Sequence, residues 1–571
     1  MSSPRLRVQF ETLFEHYQGK SCGIQLEDIT EILFCTRRNA RIVLNKMEEE
    51  GWLEWHPAAG RGKLSQLVFK RSRADVSENL ARRYLEEGKI TQALNVLDQD
   101  KSKLAKVLDT YLGIIHQEDQ QVVRLPYYRP LSMLNPTFPI RRSELHIIQQ
   151  VFSGLVTIDD NDDLQPDLAH AWEMCNPRHW RFFIRPSVRF HSGDLLTMEA
   201  ITTHLLSLRS RTLFTHVENV VSSGHLVIDI HLSRDDFRLP IILAEPCAKI
   251  LPPIEERNVN FDLYPVGTGP YRVVHNDDKR LILHAYDNYF GFRPLLDSVE
   301  VWVIDDAHSS MIFPSLSKPI QPTNTANYMD RVDLDPWCTF LLLNRKNGLA
   351  ASNDWAHYFS QRLSALNLFQ LIPQEKIVEL GVLPAHGLKP GWYHHTKQGF
   401  SSPPAYRTIT IAYHAHHPMF PTLVKCIESI FKSDGLSVNF ITYELAIDDL
   451  DEVDIWIKPM GISTHREDAL AGWLLNHSDI EMLSKDEDYA YWVEEVKKWQ
   501  ADPNITFPAN KLGKSLVERL QIIPTLHCWL GVSQDHCGAL QNATCNALGW
   551  FDFSQVWVKP EETNDSGENV G

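Results

Sequence analysis

Residues 264–301 read YPVGTGPYRVVHNDDKRLILHAYDNYFGFRPLLDSVEV. Pro265, Gly267, Gly269 and Pro270 punctuate a tight loop, and Tyr271–Val274 begins a strand. The Asn276-Asp277-Asp278 run is a turn, and the alternation of Leu281, Leu283 and Ala285 is a second strand, which makes a hairpin. An aromatic loop from Tyr286 to Phe292 leads into a third strand at Val299, Val301 and Val303. Periodicity carries the reading as far as a β-hairpin beside a buried strand.

As a string of residues the stretch goes further. Pro265 to Tyr271, the strand pair, the Asn288-Tyr289 turn and Leu296-Asp297 closely resemble a signature of the family 5 extracellular solute-binding proteins. Leu134-Asn135-Pro136 is similar to that family too, and so is SGLVTIDDNDDLQPDLAHAWE at Ser153–Glu173. The resemblance continues through Trp180–Ile184, the Ser192-Gly193-Asp194 turn and a helix start at Thr197. From about residue 335 it thins to a helix at 355–368, the Leu383–Trp392 segment, strands at 408–413, 436–442 and 454–458, and a helix at 421–432. Leu548–Phe553 is expected as a closing strand that returns to the first lobe. The resemblance spans residues 120–560 and implies two lobes around a central hinge. In that family the cleft between the lobes holds a ligand and does no covalent chemistry.

At 571 residues the chain exceeds one core, and two to four domains are expected. Apolar and charged fractions of 43% and 23% are those of a globular protein. No 18-residue apolar run is present, so no membrane span is expected. The start MSSPRLRVQFETLFEHY has no apolar stretch of the kind a secretory signal needs. Nine cysteines, odd in number and without a Cys-x-x-Cys pair, suit a reducing, cytoplasmic setting. The net charge of −17 excludes wholesale coating of nucleic acid. Residues 1–73 differ: twelve Lys/Arg face nine Asp/Glu there, which leaves −20 for the rest. A DNA contact would therefore be local.

Within 1–73, Leu6, Phe10, Leu13 and Phe14 predict a helix over 4–17, and Leu26, Ile29, Ile32 and Leu33 a second, short one. Thr36 is a good N-cap for a third helix that runs to Glu50 and stops at Gly51. Its Ala40, Val43, Leu44 and Met47 face inward; Arg38, Arg41 and Asn45 face outward, with Arg37 beside them. Two short helices with arginine and asparagine early in the second describe a helix-turn-helix, since those side chains read guanine and adenine edges. Strands at 52–55 and 67–69 enclose the basic hairpin Pro57–Lys63, a wing that puts Arg61 and Lys63 on phosphates. The candidate DNA contacts are Thr36, Arg37, Arg38, Arg41, Asn45, Arg61 and Lys63.

The domain plan is thus a winged helix-turn-helix over 1–73 and a helical connector over 74–118, followed by the solute-binding-like domain over 119–560. Lobe I is placed at about 119–330 and 505–560, lobe II at about 335–504, and 561–571 is a disordered tail. The fold class is multidomain α/β with a two-lobed periplasmic-binding-protein-like domain. A winged helix-turn-helix before a family 5 domain resembles the SgrR-type bacterial regulators, cytoplasmic activators of the sugar-phosphate stress response. Gly60–Lys63, Pro126–Leu131, Arg141–Glu144 and Leu548–Phe553 carry that likeness. It implies a double-stranded operator, a small-molecule ligand such as a sugar phosphate, and contact with RNA polymerase; the connector reads as a packed helical linker, its alternative being a homodimerisation surface. The other reading is a peptide- or nickel-type carrier serving a permease.

Tyr127, Tyr128 and Arg129 end a strand at the expected cleft, and Arg141 and Arg142 precede a helix N-terminus suited to an anion. His414, His416 and His417 lack neighbouring cysteine or acid ligands, so a polar loop is expected rather than a metal site. No nucleophile triad, P-loop or dinucleotide fingerprint occurs, so neither catalysis nor a cofactor is expected.

Overall fold

The computed structural model describes residues 4–58, 63–86, 89, 92–93, 96–97, 113–117, 120–138, 140–159, 161–303, 329–394, 402–444, 450–476, 478–533, 540–543 and 546–559. The chain divides into two units, Met1–Leu112 and Gly113–Gly571.

In the first unit, α1 (Pro4–His16), α2 (Leu26–Ile32) and α3 (Arg37–Glu49) precede α4 (Arg73–Glu86). Strands β1 (Cys22–Ile24), β2 (Leu53–His56) and β3 (Ser65–Phe69) form an antiparallel sheet in the order β1-β3-β2. The short strand β1 was not legible in the sequence; its backbone pairs with β3, Cys22 opposite Leu67. Phe10, Ala40, Leu44, Met47, Leu53 and Leu67 close one core, as the periodicity predicts. Arg61 lies outside the described residues.

The connector is not helical throughout. Its last part, β4 (Gly113–Gln117), is a strand of the second unit and pairs antiparallel with β5 (Gln120–Tyr127), Ile114 opposite Val123. The hairpin ladder with β5, whose partners lie three to eleven residues apart, overrides local helical periodicity. The expected stretch through Leu104, Val107, Leu108, Tyr111 and Leu112 lies outside the described residues, as does the 561–571 tail.

The second unit continues with α5 (Arg142–Val151), the hairpin β6 (Val156–Ile158) and β7 (Leu164–Pro166), then β8 (Ala169–Asn176), β9 (His179–Ile184), β10 (Val217–Gly224) and β11 (Val227–Leu232). Strands β8–β11 make a four-stranded sheet. The quoted stretch supplies β12 (Tyr271–Asn276), β13 (Arg280–Ala285) and β14 (Ser298–Val303), as read from the sequence. With β5 and β4 they form a five-stranded sheet, β14 running parallel to β5.

Lobe II holds β15 (Met329–Leu334), β16 (Thr339–Leu343), β17 (Val382–Pro384), β18 (Thr408–His414), β19 (Ser437–Tyr443), β20 (Ile455–Pro459) and β21 (Ile522–Ser533) in one seven-stranded sheet. Helix α6 (Phe420–Ser433) connects β18 to the parallel β19, the β-α-β unit expected there. Every side chain of β16, TFLLL, is buried, as a central strand covered on both faces requires. Two boundaries differ from expectation. β21 belongs to lobe II, because it pairs with β15, β16 and β17, so the return to lobe I follows residue 533 rather than 505. Leu548–Phe553 does reach the lobe I core, but as a turn and not a strand. Asn546 organises it, its Oδ1 accepting from the Leu548 and Trp550 amides at 3.0 and 3.1 Å. Trp550, Phe551 and Phe553 then fill the core behind β5 and α5.

His146 on α5 is fully buried, stacked on Trp550 and edge-on to Phe553. Burial lowers its pKa from 6.5 to about 3. The folded form thus resists protonation that the unfolded chain accepts, and stability falls as pH drops below 6.5, by about 2 kcal/mol at pH 5. His146→Phe lacks this term. Its unfolding free energy relative to wild type should rise by about that amount between pH 7 and pH 5 in urea melts; a pH-independent difference would contradict the assignment.

Candidate nucleic-acid interface and ligand cleft

Helix α3 begins where its chemistry demands. Thr36 has extended backbone, and its Oγ1 accepts from the Asn39 amide at 3.3 Å. The hydroxyl is therefore engaged as a cap, and any DNA contact by Thr36 has to come from the atoms that remain. Arg37, Arg38, Arg41 and Asn45 are all exposed, opposite the buried Ala40, Val43, Leu44 and Met47. Arg37 is ion-paired with Glu27 of α2, and Arg38, Arg41 and Lys46 show no ion pair among the described residues. Lys63 is exposed on the wing.

Phe34, in the turn before α3, is 95% exposed with φ +46°. The Phe34 amide bonds Glu31 O at 3.3 Å and the Cys35 amide bonds Thr30 O at 3.0 Å, which is the left-handed helix stop that favours glycine. Phenylalanine has no folding reason to be there.

In the second unit a cavity of about 360 Å³ opens between the lobes. Lobe I contributes Tyr127, Tyr128, Arg129, Arg141 and Arg142, all five candidate ligand residues. Lobe II contributes His414 and Tyr443, the last residues of β18 and β19, and Trp456 and Lys458 of β20. These three strands run parallel and end at the cavity, the place where open α/β sheets expose backbone and side chains to ligands. Sequence reading missed this set; the residues ending each strand were the available signal.

The arginines have different jobs. Arg129 is buried and holds buried Glu144 through both guanidinium nitrogens, Nη2 to Oε2 at 2.8 Å. Burial opposes its charge, but Glu144, with Tyr127 and Tyr128 beside it, more than offsets that, so its pKa lies well above the ordinary value. Its group also lies over the Tyr127 and Tyr128 rings, at 5.5 and 5.8 Å. Arg142 is ion-paired with Asp335 at the entry to lobe II and donates to Ala547 O at 2.7 Å. Lys458 is paired with Asp479 and sits 5.1 Å over the Trp456 ring. Arg141 shows no ion pair among the described residues; burial and nearby Arg129 lower its pKa. Arg129 is thus a structural residue in the cavity wall, and Arg141 is the cation best free to meet an anion.

The histidine run is not a solvated loop. All three line the cavity; His414 and His417 are half-buried and His416 is exposed, 3.4 Å from Glu444. Burial, reinforced by Arg129, Arg142 and Arg141, lowers the His417 pKa to about 3. Burial and Arg141 likewise depress His414. Both rings are neutral at pH 7. Among the described residues no cluster of His, Cys, Asp and Glu is set to hold a metal. His414 Nδ1 and Trp456 Nε1 are buried without a hydrogen-bond partner among the described residues, so the cavity wall offers polar atoms that a solute could satisfy.

A helix-turn-helix unit in one chain with a two-lobed solute-binding fold defines a ligand-binding transcriptional regulator, and the comparisons agree. Residues 5–119 match the model described as "Sugar transport-related sRNA regulator N-term", and residues 163–313 match "Bacterial extracellular solute-binding proteins, family 5 Middle". The "HTH-type transcriptional regulator SgrR" of Pectobacterium atrosepticum is 35% identical over 569 residues, covering 98% of this chain and all of that protein. Its namesake from Yersinia enterocolitica is 32% identical, covering 99% and 100%. The chain belongs to the SgrR family of HTH-type transcriptional regulators. Among solved structures, the oligopeptide-binding protein AppA of Bacillus subtilis superposes with TM-score 0.62 at 15% identity, covering 77% of this chain and all of that one. The Escherichia coli murein tripeptide binding protein MppA does so with 0.61 at 14%, covering 78% and 99%. Those two similarities establish the solute-binding fold.

Two stability effects follow. Arg129→Met leaves Glu144 buried and unpaired and should cost about 3–5 kcal/mol in chemical denaturation, with part regained by adding Glu144→Gln; a loss below about 1 kcal/mol would contradict a structural pair. Phe34→Gly should stabilise the first unit by about 1 kcal/mol; destabilisation would show that Phe34 serves the fold.

Proposed function

We propose that this regulator binds an operator duplex through α3 and the wing, and that a small solute in the interlobe cavity switches that binding in the cytoplasm. The observation that carries the reading is that one chain has both an outward basic recognition helix and a solute-sized cavity with unpartnered polar atoms. Arg38, Arg41 and Asn45 serve base edges or phosphates, and Lys63 serves the backbone. The solute is held by Arg141 and by the free nitrogens of His414 and Trp456, with Tyr127 and Tyr128 as walls. The family's description supports a solute linked to sugar transport, and a sugar phosphate suits Arg141. Two copies on a two-fold operator and contact with RNA polymerase complete the reading.

Delivery of peptides or nickel to a permease fits the cavity less well. Glu144, Asp335 and Asp479 already hold cations, so they are not free to receive a peptide's ammonium group.

Arg38→Ala with Arg41→Ala should weaken operator retardation at least about tenfold, the loss of one or two base or phosphate contacts, while melting is unchanged. Unchanged retardation would overturn the α3 assignment. Hexose phosphates in excess should raise the melting temperature of wild type but not of Arg141→Met; an equal rise in both would place the anion elsewhere.

A further inference from the structure

One side chain on the recognition helix fits neither core nor charge. Ile42 is 45% exposed and belongs to no core cluster, although it lies on a helix whose other aliphatic residues are buried. At 100° per residue it sits about 40° from Arg38, with Asn45 about 20° to the other side. The three therefore form the centre of the outward face, opposite Ala40 and Met47. Arg41 and Arg37 lie towards one flank and exposed Lys46 towards the other. An apolar side chain flanked by Arg38, Arg41 and Lys46, with exposed Glu49 two turns further along the same face, matches a polyanion that carries an apolar feature within it. The B-DNA major groove has one such feature, the thymine 5-methyl group.

We propose that Ile42 reads a thymine methyl between bases contacted by Arg38 and Asn45. The inference rests on the DNA-binding reading above and makes it specific. From Arg38 to Asn45 the helix rises about 10 Å, roughly three base steps. With arginine on guanine and asparagine on adenine, the operator half-site carries a guanine, a thymine and an adenine within three to four base pairs of roughly this length. Aliphatic contact with the methyl group also explains why an isoleucine stays exposed: its apolar surface leaves water when the duplex binds.

The test uses full-length protein and the tightest duplex of about 20 bp, two helical turns, that it selects from a random pool. Each thymine of that duplex is replaced in turn by deoxyuridine, which removes the methyl group and keeps the pairing. Wild type should lose roughly fourfold in affinity at one thymine per half-site, the worth of one buried methyl. Ile42→Ala should bind the thymine duplex correspondingly more weakly and be indifferent to that deoxyuridine. A melting curve equal to wild type confirms that the variant is folded. Wild-type binding that ignores every deoxyuridine, or an Ile42→Ala variant that keeps the full methyl sensitivity, would overturn the assignment and leave Ile42 as a surface for another protein. Failure of wild type to select any duplex would instead overturn the DNA-binding reading, and this inference with it.

Discussion

The solute-binding unit is organised by how closely one loop approaches one helix. A β-carbon on Gly267 would lie 2.1 Å from the Val151 carbonyl oxygen, and one on Gly269 would lie 2.6 Å from that of Gln150. Only glycine lets residues 265–270 press against the end of α5, where the Gly269 amide bonds Val151 O at 2.9 Å. His191 fastens the same loop. Its Nδ1 accepts from the Gly267 amide at 3.3 Å, and its Nε2 donates to Gly269 O at 3.0 Å. That pattern requires a neutral ring, consistent with burial lowering its pKa to about 4. The loop fixes the C-terminal end of α5, and the N-terminal end of α5 carries Arg141 and Arg142 into the cavity. The motif that reveals the fold thereby positions the site.

Local chemistry was legible in the sequence. Thr36 capping, the inward Ala40-Val43-Leu44-Met47 stripe and the hairpin after Tyr271 depend on residues within a turn or two of each other. Long-range pairings were not. Arg129, Arg141 and Arg142 look alike in sequence, yet Glu144 claims the first and Asp335, in the other lobe, claims the third. The Leu548–Phe553 run has strand-like apolar content, but Asn546 folds it into a turn. The histidines near 414 read as surface because the cavity they line and the lobe I arginines that act on them come from residues far away in the chain. The five residues read from the sequence share one cavity wall, but the partners that occupy Arg129 and Arg142 were not legible there.

Ion pairs in the cavity wall also bear on switching. Arg142 and Asp335 join α5 of lobe I to the start of lobe II, so closure of the cleft and this contact go together. The Asp162 carbonyl oxygen accepts from Arg466 at 2.7 Å and its carboxylate from the His465 amide at 3.0 Å, a second set of bonds between lobes. A solute that contacts both Arg141 and the β18–β20 strand ends favours the arrangement in which these bonds are made. A ligand can bias such an equilibrium only by its preference for one arrangement, so groups contributed from both lobes are what the switch requires.

The central claim is that the cleft and the recognition helix are energetically coupled. The most direct measurement is the affinity of the full chain for its selected duplex with and without a saturating solute that raises its melting temperature, paired with the solute's affinity with and without duplex. Both affinities should change by the same factor, on the order of five- to 150-fold, since coupling between two sites is reciprocal. Affinities unchanged in both directions would contradict it and leave two independent binding units on one chain.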